Sequence, residues 1–177
     1  MKDNRKNHQQ DRYKFIEIDV EDPILRTFML CAQTCRAMAK YDDAYLNGKA
    51  GISEVELIVL MAFHKDPTAV ITPSEIAHWT ITERHNVTTL IQRMKRDGLI
   101  NIERNERDKR FLNITLTDKG REVLSQAIPV ANECVKQVMS SISIDEAVLF
   151  EKQVRIIRHN TLKGLEDIAL LSQPKPD

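Results

Sequence analysis

The chain is poor in the residues that punctuate turns. Its 177 residues include only 5 glycines and 6 prolines, too few for the many tight turns of an all-β sandwich or barrel. It carries 3 cysteines, an odd and small number that reads as thiols, not as a disulfide framework. Its longest apolar run, Leu57 to Phe63, has seven residues, far short of a membrane span. Behind the polar opening Met1-Lys2-Asp3-Asn4-Arg5 comes no apolar stretch of the kind that drives secretion, so a cytoplasmic protein is expected. There is also no excess charge of one sign. Lys plus Arg and Asp plus Glu each number 26, which argues against a protein that simply coats nucleic acid or an anionic surface. Chemistry of the enzymatic kind is missing too: no phosphate loop, no nucleophile elbow, no paired carboxylates in a pocket context. His64, His78, His85 and His159 lack metal-ligand spacing, and Cys31-x-x-x-Cys35 alone does not make a zinc site. No cofactor and no metal are expected.

What is present is helical periodicity. Residues 1–21 are read as a polar tail or arm, with a short alternation from Phe15 to Val20. Asp22-Pro23 is a good helix start, a capping side chain followed by proline at the first helical position. Ile24, Phe28, Cys31, Cys35 and Met38 then recur every 3.5 residues on average, the seam of a helix that packs lengthwise on another. Asn47-Gly48 is its expected stop. Three capping boxes follow, Ser53…Glu56, Thr72…Glu75 and Ser143…Glu146, each pairing two orphan amides reciprocally. A further helix after Thr117 shows Leu124, Ile128, Val135, Val138 and Ile142, again near a heptad, with Pro129 expected to bend it. This divides the chain into a first seamed helix at 22–50, a compact middle at 51–116, closing seamed helices at 117–171 and a tail at 172–177, the seamed helices being the dimerisation helices if the chain pairs with a second copy.

In the middle, a short helix from Thr72 to about Trp79 precedes a second from Thr82 to Asp97. In that second helix Val87, Leu90, Ile91 and Met94 form one apolar stripe. Opposite it lie His85, Thr89, Gln92 and Arg96, flanked by Thr82, Thr88 and Arg93. The outer face thus holds small hydrogen-bonding groups and arginines, with no large apolar side chain. Ile100-Asn101-Ile102-Glu103 and Leu112 to Leu116 alternate with period two and read as two strands. Between them runs a densely charged loop with Arg107, Asp108, Lys109 and Arg110. Helix, turn, helix and hairpin in this order make a winged helix-turn-helix, so the fold expected is mainly α with a small β-wing. The zero total charge hides an uneven distribution. Residues 84–110 hold eight basic against four acidic side chains, and 15–57 the reverse, as expected when one face meets phosphates.

Ser74-Glu75-Ile76-Ala77, the run Asn86 to Met94, and Asp97-Gly98-Leu99-Ile100 resemble elements of the MarR family of transcriptional regulators. The most specific likeness is Asp108-Lys109-Arg110 with Leu116-Thr117-Asp118-Lys119-Gly120, which is similar to the family's D-x-R-x5-L-T-x-x-G pattern at every fixed position. The resemblance implies a homodimer that binds a near-palindromic DNA operator and is released by a small-molecule or oxidant signal. It implies that Arg110 enters the minor groove, with Asp108 holding its guanidinium, and that His85, Asn86, Thr88 and Thr89 face base edges or phosphates. Thr89 and His85 depart from the family pattern, which bears on the operator preferred. Cys31 and Cys35 are the candidate thiol sensor, although on an apolar seam cysteine also serves as a small hydrophobe. Trp79 is read as a core plug behind the recognition helix, the alternative being the lining of an effector pocket. The competing functional class is a winged helix used for protein contact alone.

Overall fold

The structure is a computed structural model that describes residues 21–106 and 108–171. The expectations for the opening tail and its alternation, for the tail at 172–177 and for Arg107 lie outside the described residues. The elements run α1 (Pro23–Ala50), α2 (Glu54–Met61), α3 (Pro73–Thr80), α4 (Arg84–Arg96), β1 (Ile100–Arg104), β2 (Leu112–Leu116), α5 (Asp118–Val138) and α6 (Ile144–Leu171). They fall into two units divided after Cys134.

In the first unit, local chemistry sets most boundaries. Asp22 caps α1 by accepting from the amides of Ile24 and Leu25, at 2.8 and 3.4 Å. The expected stop at Asn47-Gly48 is too early. Asn47 instead donates back along the helix to the carbonyl of Asp43 at 2.8 Å, and α1 runs on to Ala50, where Gly51 with its φ of +69° ends it. Glycine adopts that left-handed conformation without a Cβ clash. The capping boxes at Ser53 and Thr72 are both formed.

The recognition-helix candidate α4 starts two residues later than its pattern suggests, because Thr82 belongs to the turn and Glu83 takes the N-cap position. Its stripe is buried as the spacing requires: Val87, Leu90, Ile91 and Met94 are between 0 and 7% exposed. They pack in one cluster with Val59, Leu60, Phe63, Ile76, Ile100 and Ile114. Trp79 is not part of that core. The volume is taken by Leu60, Phe63 and Ile76, each with no exposed surface, while Trp79 keeps 41% of its own.

β1 and β2 pair antiparallel in the register Ile100↔Leu116, Ile102↔Ile114 and Arg104↔Leu112. Ile71 adds a third, one-residue rung. Its amide and carbonyl both bond to Ile114, at 3.0 and 2.8 Å. A single paired residue has no period, so no alternation in the sequence announces it.

The turn from β2 into α5 is built from the Leu116-to-Gly120 motif. Leu116 is buried. Thr117 Oγ1 donates to the carbonyls of Gly98 and Leu99, at 2.7 and 3.0 Å, and accepts from the amide of Gly120 at 2.9 Å. A Cβ on residue 120 would stand 2.1 Å from the Leu99 carbonyl oxygen and 2.7 Å from a Leu116 methyl, so only glycine fits. α5 passes through Pro129 without ending.

In the second unit, Ser143 and Glu146 form the third capping box at the start of α6. α6 leaves Ile144, Val148, Leu149, Phe150, Val154, Ile157 and Leu165 exposed. Along α1, Ile24, Phe28 and Met38 are likewise exposed, by 80, 66 and 41%. Among the described residues no helix is long and apolar enough to cross a membrane.

Candidate nucleic-acid interface

The outward face of α4 is polar from end to end. His85, Asn86, Thr88, Thr89, Gln92 and Arg96 are all exposed, and the structure brings them together on the side away from the buried stripe. Arg96 makes a long contact of 3.5 Å to Asp97, with both side chains open to solvent, too loose to hold the guanidinium down.

Two residues expected on this face do other work. Thr82 is half-buried in the turn before α4, where its amide donates to the Ala77 carbonyl at 3.1 Å and its hydroxyl to the Thr80 carbonyl at 3.0 Å. Arg93 turns toward α2. Its Nε donates to Oε1 of Glu56 at 2.9 Å and its Nη2 to the Ser53 hydroxyl at 3.3 Å. Glu56 is itself 7% exposed, and a buried carboxylate demands a partner. A helical wheel drawn from α4 alone cannot see a partner on another helix.

The hairpin tip is organised around Asp108. Arg110 donates from Nε to both carboxylate oxygens of Asp108, at 3.0 and 3.2 Å, and from Nη2 at 2.8 Å. The Arg110 amide adds a fourth bond at 3.0 Å. The guanidinium beside Asp108 holds that carboxyl below the usual carboxylate range, and the carboxylate in turn raises the pKa of Arg110. The Arg110 side chain is nonetheless 86% exposed. A solvated ion pair contributes little to stability, so what the pair supplies is direction: a guanidinium aimed outward from a two-residue fork. Lys109 is exposed beside it.

Asn105, which the sequence pattern does not single out, holds the tip together. Its Oδ1 accepts from the Asp108 amide at 3.1 Å and its Nδ2 donates to Asn113 Oδ1 at 3.2 Å. Its amide also donates to the Phe111 carbonyl at 2.9 Å. An asparagine at the entrance to a hairpin loop is the signal that could have marked it.

The thiols occupy three environments. Cys31 is half-buried and Cys35 exposed on α1. Cys134 is buried and donates to Asp42 Oδ1 at 3.0 Å; burial, with the Asp42 carboxylate, pushes its pKa up to about 11. A cavity of about 510 Å³ lies at the foot of α4, lined among others by Asp43, Ser53, Glu56, Arg93, Asp97 and Lys119. Trp79 is not among the residues that line it.

Comparison with known proteins points one way. The family model described as MarR family matches residues 50–110. The chain is similar to the transcriptional repressor MprA of Escherichia coli, 29% identical over 105 residues, covering 59% of this chain and 60% of that protein. It therefore matches about three fifths of that relative's length. It is also similar to the HTH-type transcriptional repressor YetL of Bacillus subtilis, 26% identical over 130 residues, covering 73% of this chain and 77% of that one. Among solved structures, Sco3205, a MarR family transcriptional regulator from Streptomyces coelicolor in complex with DNA, shares the fold. Its TM-score is 0.68 at 22% identity, over 77% of this chain and 81% of that one. The matched family is one of regulators, not of enzymes. With the Leu116-to-Gly120 turn, the Asp108–Arg110 wing and the polar helix face in place, residues 50–110 match the MarR family model and the fold around them is the winged helix-turn-helix fold of a solved MarR family structure.

Proposed function

We propose that this protein is a cytoplasmic, sequence-specific DNA-binding repressor that acts as a homodimer. The observation that carries the reading is the outward-aimed Arg110 guanidinium, forked by Asp108 at a basic hairpin tip, beside a helix face of exposed polar side chains. α4 enters the major groove and reads base edges through His85, Asn86, Thr88, Thr89 and Gln92, with Arg96 on a phosphate. The wing, with Arg107, Asp108, Lys109 and Arg110, reaches the adjacent minor groove. The exposed apolar seams of α1 and α6 are what a two-fold partner would cover, so the operator is a near-palindrome with half-sites about one helical turn apart. Repression is the favoured direction because both curated relatives named above are repressors.

The signal that ends binding is a small molecule or oxidation of Cys31 or Cys35, and the cavity beneath Arg93 is where a small molecule would sit. It lies between the end of α1 and the foot of α4, where an occupant reaches the helix that reads DNA. A winged helix that docks only on protein would need an apolar patch on the α4 face, and the exposed residues there are polar.

The test is selection of bound duplexes from a random-sequence pool, followed by affinity measured across a salt series. A steep loss of affinity with salt and a two-fold symmetric selected site are expected. Flat or undetectable binding overturns the proposal.

A further inference from the structure

Between α3 and α4 stands a residue in the wrong conformation for its type. Ile81 has φ 51° and ψ 45°, and it is the one non-glycine residue with positive φ among those described. Left-handed backbone crowds any Cβ against the following carbonyl, and a β-branched side chain suffers most. Glycine or asparagine is the usual solution at such a helix end.

The conformation is not accidental. The amides of Ile81 and Thr82 both donate to the carbonyl of Ala77, and the Thr82 hydroxyl bonds the Thr80 carbonyl. These bonds fix the turn and therefore hold Ile81 left-handed. The ordinary reason to keep an apolar side chain there is packing back onto the last turn of the preceding helix. Ile81 does not do this: it is 62% exposed. The chain thus gives up stability to hold a branched aliphatic group in solvent, and strain of this kind is retained where the group has work to do.

Its position says which work. Ile81 lies two residues before the N-cap of α4, at the end of the recognition helix that meets base edges. The neighbouring exposed positions, His85 and Asn86, are polar. In the major groove the one apolar feature on a base edge is the C5-methyl of thymine. We propose that Ile81 is a specificity-determining residue that meets a thymine methyl in each half-site. This rests on the DNA-binding reading above.

The test uses the full chain and the duplex selected by the wild-type protein from a random pool. Each thymine is replaced in turn by deoxyuridine, which deletes only the methyl. For the wild type, one position per half-site should weaken binding about fourfold, as loss of one buried methyl predicts. Ile81→Gly and Ile81→Asn should be blind to that same replacement, bind the parent duplex more weakly, and melt at the same or a higher temperature. The inference is overturned if no thymine methyl matters to the wild type, if both variants keep the wild-type sensitivity, or if both melt lower, which would make Ile81 a packing residue. A wild-type protein that selects no duplex at all would instead sink the DNA-binding reading, and this inference with it.

Discussion

Arg93 Nε and Glu56 Oε1 stand 2.9 Å apart and join helices whose contacting residues are 37 positions apart in the chain. The same carboxylate accepts from the amide and hydroxyl of Ser53 through its other oxygen, at 2.8 and 2.7 Å. One buried group therefore caps α2 and anchors the foot of α4.

Removing that group should cost both functions. Glu56→Ala should lower stability by about 2 kcal/mol, roughly half from the lost cap and half from the stranded arginine. Arg93→Ala should cost about 1 kcal/mol and leave the selected DNA sequence unchanged. Urea titrations with a shifted midpoint and an unchanged slope check the stabilities. A changed operator preference for Arg93→Ala would return that residue to the reading face.

The wing arginine should behave in the opposite way. Arg110→Ala is expected to weaken DNA binding by about tenfold to a hundredfold at fixed salt, with the melting temperature unmoved. Lys109→Ala should weaken all sequences alike and flatten the salt dependence by about one ion per protomer. Leu90→Asp supplies the contrast, because it buries a carboxylate at a site only 7% exposed and should unfold the DNA-reading unit. Parallel binding and circular-dichroism melts separate these outcomes.

At residue 120 the expectation is purely steric. Gly120→Ala puts a methyl 2.1 Å from a backbone oxygen that cannot swing away. Overpacking of this kind costs about 3 kcal/mol, so the variant should melt well below the wild type. A melting curve superimposable on the parent would show that the turn between β2 and α5 can open without penalty.

The buried thiol should be inert. With its pKa pushed up to about 11 by burial and Asp42, Cys134 carries almost no thiolate at pH 8 and should resist iodoacetamide in the folded protein. In urea all three cysteines should label, as read by mass spectrometry. The pH dependence has a definite sign. A thiol whose folded pKa is raised stabilises the fold in its protonated form, fully below its ordinary value of 9.0 and progressively less as pH climbs to about 11. Cys134→Ala should flatten stability across that alkaline window.

Much of this was written along the chain because it depends on near neighbours. A capping box needs a hydroxyl and a carboxylate three residues apart, and those at Ser53, Thr72 and Ser143 form where the spacing says. The stripe Val87–Leu90–Ile91–Met94 and the alternation in β1 and β2 are periodic, and burial follows the period. The Asp108–Arg110 fork spans two residues and is local as well.

What folding alone decided involves partners far apart in the chain or angles that no residue type announces. Arg93 left the outer face because Glu56 waited on another helix. Trp79 kept two fifths of its surface exposed while Leu60, Phe63 and Ile76 filled the core. Gly120 is compulsory only because Leu99 crosses above it, and Ile81 is strained only because two amides converge on Ala77. Periodicity reports which side of an element is apolar; it carries no information about what arrives from the other side, since that depends on packing between segments whose order in the chain leaves their contacts open.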